Sequence, residues 1–271
     1  MELACLEPIA QGLHITHWSS EDLAREAVRQ KIVPAISSRT VRRILRDIDL
    51  QPHRTRYWKT SKVDPLFKKR AEQVLWCYAH AENLAERGHW VVCVDELPNF
   101  QILERPLRRG EPGRIERQEF EYRRHGVATM LMFLIVHTGE MRLAVMPRKT
   151  AAAFMEQLEL FREAHPEVNR VFLIHDGDPS HTANATKRFL REDDWWRPRR
   201  TPVHASWLDQ AEILINMFSR RYLVRQSWDT REEFLEHVQA AWPEYNDRYA
   251  HPIEWTWTSA KMREWYEKHQ N

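Results

Sequence analysis

Three acidic residues, far apart along the chain, stand where they could share a divalent cation. Val171-Phe172-Leu173-Ile174 is a short apolar run of the kind that forms a buried strand, and Asp176 follows it inside a Gly/Asp/Pro/Ser turn. Downstream, Trp207, Ala211, Leu214, Ile215, Phe218 and Tyr222 recur at helical spacing, with Ser206 placed as the N-cap. Glu212 lies off that stripe, on the face shared by Leu208 and Ser219. The third acid, Asp95, ends a second apolar run, Val91-Val92-Cys93-Val94.

Carboxylates that hold Mg2+ or Mn2+, as a pair of ions, suit phosphodiester chemistry. Such ions bridge the scissile phosphate, activate the attacking water or 3′-hydroxyl and neutralise the leaving oxygen. Hard oxygen donors fit these ions, and no Cys/His set has zinc-ligand spacing. Taken singly, an Asp after a strand is more often a turn or cap residue. Glu96, Asp178 and Asp209 compete for the same role, and a lone His such as His181 is more often structural. The spacing favours the trio. Between Asp95 and Asp176 lie 80 residues, and between Asp176 and Glu212 lie 35. The second gap suits a turn, helix, strand and helix that return a side chain to the first two. His181 and Glu96 are expected behind the acids, with His181 donating to a carboxylate or a phosphate.

The chain that must position these residues has 271 of them, enough for one good core and a smaller appendage. Hydrophobic residues make up 42% and charged residues 30%, the balance of a soluble globular protein. The apolar run at 130–136 is too short to span a bilayer and no signal segment opens the chain. A cytoplasmic, membrane-free location follows as the expectation. Cys5, Cys77 and Cys93 are odd in number and scattered, which excludes a disulfide framework. The net charge is only +2, so basic residues matter through where they cluster.

Ser19-Ser20-Glu21-Asp22 opens a helix with Leu23, Ala24, Ala27 and Val28 on one face. A second helix starts at Ser37-Ser38, with Val41, Ile44, Leu45 and Ile48 inward. Arg39, Thr40, Arg42, Arg43 and Arg46 point outward. This is the shape of a helix-turn-helix whose second helix reads the major groove, although a solvated basic helix in a bundle fits equally well. A basic linker with Arg54, Arg56 and Lys59 follows, then a long helix from Pro65 to Arg87. Residues 104–125 form a charged arm rich in arginine, including Arg123 and Arg124, that reads as a solvated hairpin or as a phosphate-contacting arm. Met130–Val136 and Arg142–Val145 pair about a turn at Gly139, Thr150 opens a helix, and a further strand is expected near 200–204. Hairpin strands followed by alternating strands and helices give an α/β sheet flanked by helices. The expected domains are 1–60, helix-turn-helix; 61–225, the sheet domain entered through a linking helix at 61–88; and 226–271, a helical tail.

Several blocks together resemble the DDE transposases of the mariner superfamily, specifically the bacterial insertion-sequence 630 branch. VVCVDELPNFQILER is similar to the family's first-acid strand, and FEYRRHG with the following strand to its second block. HDGDPSHT resembles its Asp-Asn-x-x-x-His block, and TPVHASWLDQAEILINMFSRRYL, the most specific, resembles the block carrying its Glu. The resemblance covers about residues 18–258. It implies an RNase H-like sheet domain with Asp95, Asp176 and Glu212 as the metal-binding catalytic residues. Ser206 and Trp207 would cap and pack. The implied substrate is double-stranded DNA, the terminal inverted repeats of a mobile element, cut and then joined to target DNA by a homodimer in the bacterial nucleoid.

Three departures from the pattern stand out. Gly177 and Asp209 occupy positions where the family usually has Asn, and there is room for only the second of the family's two helix-turn-helix units. A shortened or split copy is one expectation. The alternatives to a strand transferase are a DNA-binding repressor without catalysis and an RNase H-like nuclease that cuts without joining.

Overall fold

The computed structural model describes residues 2–47, 65–108 and 110–268. The chain divides into two compact units, 1–60 and 61–271. In the first, a short helix α1 (Glu2–Cys5) precedes α2 (Ser20–Arg29) and α3 (Ser38–Asp47). Ser19 accepts from Asp22 N–H and Ser37 from Thr40 N–H, so both expected caps form. Ala4, Trp18, Leu23, Ala24 and Val41 make the core, and the Trp18 indole donates to the Leu6 carbonyl. Val28 and Ile44, expected to face inward, are each 39% exposed. Leu23 and Ala24 of α2 and Val41 of α3, with Leu45 packed alongside, already fill a core this small.

The second unit holds a five-stranded mixed sheet in the order β5-β4-β1-β6-β7. Its strands are β1 (His89–Glu104), β4 (Arg123–Ile135), β5 (Met141–Met146), β6 (Arg170–His175) and β7 (Trp196–Arg200), and a two-stranded hairpin of β2 (Leu107–Arg108) and β3 (Arg117–Gln118) lies in the charged arm. β1 pairs antiparallel with β4 and parallel with β6, so it is the spine. The last strand lies four residues earlier than expected at 200–204, because Trp196 completes the core beneath α6.

Alternation along the strands divides the core into two layers. Val91, Cys93, Met130, Met132, Leu134 and Ile174 face one side, against α4 (Phe67–Ala79), α5 (Ala81–Ala85), α9 (Gln210–Phe218) and α10 (Arg231–Tyr249). Val92, Val94, Leu131, Phe133, Val171 and Leu173 face the other, against α6 (Ala151–Ala164) and α8 (Asn184–Glu192), with the one-turn α7 (Pro179–Thr182) nearby. The expected helix at 65–87 breaks at His80 into α4 and α5. Residues from 226 on, expected as a separate tail, fall within this unit. There Asn246 of α10 bonds both backbone groups of Met141, covering the β5 edge, while α11 (Ser259–Lys268) packs on α4 through Met262 and Phe67. At the β4–β5 turn Gly139 adopts φ 74°, and the His251 backbone occupies the space a side chain would need. Among the described residues no helix is long and apolar enough to cross a membrane.

Candidate active site

The first two acids are set by the β1–β6 ladder. Val94 pairs with His175, the last parallel pair, so Asp95 and Asp176 are the next residue on each strand. Paired residues of parallel strands share a face. By alternation Asp95 follows Cys93, and Asp176 follows Ile174, onto the α9 side. Asp95 does not end its strand as expected. β1 continues to Glu104 because β4 goes on pairing with it after β6 has left. Asp95 therefore sits where a central strand becomes the arm of a two-stranded ribbon.

Glu212 reaches the same end from above, in the first turn of α9. That helix starts later than its apolar pattern suggests. Ser206–Leu208 form a single 3-10 turn, and Asp209 is the N-cap, accepting from Ala211 N–H at 2.9 Å. Ser206 makes no cap bond. Trp207 is 42% exposed and meets Trp257 edge-on. The Tyr78 hydroxyl fixes this corner by donating to the Leu208 carbonyl at 2.6 Å and accepting from Gln210 N–H at 3.3 Å.

Behind Asp176 lies a network that crosses to the opposite layer. Glu96, next after Asp95, turns to the α6 side and is 6% exposed. His181 stands between the two: its Nδ1 is 2.8 Å from Asp176 Oδ1 and its Nε2 is 2.9 Å from Glu96 Oε1. Both partners are carboxylate acceptors, so both ring nitrogens donate and the ring is an imidazolium. Burial opposes that charge, but the bonds to Asp176 and Glu96 prevail and lift His181 to about 9. Asp176 Oδ1 also accepts from Asp178 N–H. Asp178 caps α7, and Lys149 pairs with it at 2.7 Å and with Glu96 at 3.6 Å.

The front of the site has a different balance. Burial, with the negative charge of Asp176, Glu96 and Glu212 nearby, pushes Asp95 up to about 7 against the pull of the Glu96 N–H bond. Asp209 is driven far above the carboxylate range by burial and by Asp95, so it is a neutral acid there. Asp209 thus adds no charge to the site. Glu212 Oε2 is buried without a partner. Among the described residues no three His, Cys, Asp or Glu side chains are close enough to hold a metal ion, so the acids share the site at wider than ligand spacing. Their chemistry nonetheless fits a hard divalent cation: all donors are oxygens, one is buried and unpartnered, and Asp95 is surrounded by the negative charge of Asp176, Glu96 and Glu212.

Of the other residues singled out, Arg39, Arg42, Arg43 and Arg46 are exposed on α3, and Thr40 is half-buried and bonds Ser37. Arg54, Arg56 and Lys59 lie outside the described residues. Arg123 and Arg124 are exposed at the start of β4, opposite Glu104 and Leu103, and Arg124 bonds Gln101 at 3.2 Å. Sequence reasoning missed Lys149 and Tyr78. A lysine before a helix cap and a tyrosine on an apolar stripe carry no local sign of what they will meet.

A family model described as DDE superfamily endonuclease matches residues 90–235. No curated protein matches the sequence. Among solved structures, the chain is similar to the Mos1 mariner paired end complex with Mn, with a TM-score of 0.52 and 18% identity, covering 97% of this chain and 75% of that one. The Mos1 strand transfer complex is also similar, with a TM-score of 0.53 and 18% identity over 93% of this chain and 72% of that one. At such identity the likeness speaks for the fold, and it bears out the RNase H-like arrangement expected from the sequence.

Proposed function

The chain belongs to the DDE superfamily of endonucleases, and we propose that it is a DNA transposase of the insertion-sequence 630 branch of the mariner superfamily. In this reading it binds the terminal inverted repeats of a mobile element, cuts there and joins the freed 3′-hydroxyl to target DNA. The observation that carries the proposal is that Asp95 on β1, Asp176 just after the neighbouring β6 and Glu212 in the first turn of α9 lie at one end of the β1–β6 ladder.

Asp95, Asp176 and Glu212 would hold Mg2+ or Mn2+, two ions in all, which when bound supply Lewis-acid activation of the attacking oxygen and charge neutralisation at the phosphate. His181 fixes the rotamer of Asp176 and keeps it ionised, because its imidazolium shares Oδ1 with the Asp178 amide. Glu96 and Lys149 hold His181 and the α7 turn from behind. Asp209 and Tyr78 set the start of α9 and so the height of Glu212 over the sheet. The exposed arginines of α3 would read the element end as the second helix of a helix-turn-helix, while Arg123 and Arg124 would contact the backbone. Homodimer formation on paired ends and residence in the bacterial nucleoid complete the proposal.

The test is cleavage and joining, in Mg2+ or Mn2+, of a plasmid carrying the inverted repeats that flank the gene. Asp176→Asn and Glu212→Gln should abolish cutting and leave DNA binding largely intact. Wild-type cutting by either variant would remove that residue from the site. Binding without any cutting by the wild type would leave a repressor, and cutting without joined products a nuclease.

A further inference from the structure

Outside the trio, the edge strand β7 carries three arginines. Arg197 pairs with Asp194 at 2.9 Å, and Arg199 lies over the Phe172 ring and donates to the Pro198 carbonyl. Arg200 has neither kind of contact. Its Nε is buried without a hydrogen-bond partner, and among the described residues no carboxylate pairs with it.

Its position makes that unpaired charge informative. Arg200 is the register partner of His175, the residue before Asp176, so it shares the face of His175 at the end of the sheet where Asp176 stands. There it lies against Gly177. A side chain built on Gly177 would place its Cβ 3.2 Å from the Arg200 Cζ and 3.3 Å from its Nε, with Nη2 nearer still. The guanidinium thus fills the space that any residue but glycine would claim, directly after a proposed catalytic acid. Asp176 and Asp178 flank Gly177, yet they bond His181 and Lys149 instead.

We infer that Arg200 binds a backbone phosphate of the DNA strand lying at Asp176. This rests on the DNA-processing reading above. A guanidinium offers a planar fork of donors that matches two phosphate oxygens, and here it is held in place by the strand and by Gly177. The need for it is electrostatic. Asp95, Asp176 and Glu212 repel a polyanion, while the other cations near Asp176 are engaged: His181 by Asp176 and Glu96, Lys149 by Asp178 and Glu96. Arg200 is left free to attract the phosphate.

The experiment measures equilibrium binding of the full chain, in Ca2+, to duplexes spanning the flanking inverted repeat, each carrying one neutral methylphosphonate linkage moved stepwise along the cut strand. In the wild type, one or two linkages beside the cut should each weaken binding roughly tenfold, the effect of losing a charge-assisted hydrogen bond. In Arg200→Gln that penalty should vanish while penalties at all other linkages remain, and Arg200→Lys should retain part of it. Gly177→Ala, which displaces the guanidinium without removing it, should lose it too and serves if Arg200→Gln does not fold. A penalty map identical in wild type, Arg200→Gln and Gly177→Ala would overturn the inference while leaving the transposase reading standing. Failure of the wild type to bind DNA would overturn both.

Discussion

His181 donates its Nδ1–H to Asp176 Oδ1 at 2.8 Å, and through its other nitrogen it ties that acid to Glu96, a residue of the opposite layer of the sheet. Two carboxylates that leave adjacent strands in opposite directions are thereby held by one buried cation.

Removing His181 should cost both stability and activity. His181→Ala leaves Glu96 buried with Lys149 3.6 Å away and Ser180 as its remaining partners, and breaking such a buried pair costs about 3 kcal/mol. The pH dependence has a definite sign. A ring raised from 6.5 to about 9 stabilises the fold fully below 6.5 and loses that contribution as pH climbs through 9. Urea melts of wild type and His181→Ala should therefore differ most at pH 6 and converge by about pH 10. A constant difference across that range would show that the ring is neutral.

Asp95 predicts the opposite consequence of charge. Its carboxyl, raised from 3.8 to about 7, favours the fold while protonated, and that contribution is lost as pH rises between these values. In chelator, Asp95→Asn should match wild type at pH 4 and melt several degrees higher at pH 8. Equal melting at pH 8 would mean that Asp95 is solvated like an ordinary carboxylate.

Asp209→Asn should keep the Ala211 N–H cap, since an amide oxygen accepts as well as a carboxyl. It removes a group that resists ionisation, so the variant should be at least as stable as wild type at pH 8 and equal at pH 4. Asp209→Ala, which loses the cap, should cost about 1 kcal/mol in the same melts. A destabilised Asp209→Asn would show that the proton on Asp209 bonds a partner that an amide cannot serve.

Replacing both Arg42 and Arg43 by alanine should weaken binding to the inverted repeat and lower the slope of log affinity against log salt by about 2, roughly one per lost phosphate contact. Both side chains are exposed on α3 and neither supports the core of its unit. Unchanged binding would leave α3 a solvated basic helix.

The amino-acid sequence by itself determined the strands around Asp95 and Asp176, the amphipathic stripe of α9 and the caps at Ser19, Ser37 and Thr150, because these depend on residues within a turn or two of one another. It also marked the three acids, since their types and spacing are properties of the chain. What only the tertiary structure decided was which way each acid faces and what stands behind it. That Glu96 turns away from Asp95 follows from strand alternation, but that it meets His181, Lys149 and Ser180 depends on β6, α6 and α7 docking on one layer. The cap of α9 moved from Ser206 to Asp209 because Tyr78, 132 residues before Gln210, anchors the turn between them. Gly177 looked like the loss of an amide, and the fold places the Arg200 guanidinium in that space. Local periodicity reports which face of an element is buried; the partner across the interface is chosen by register and packing between segments that the linear order keeps apart.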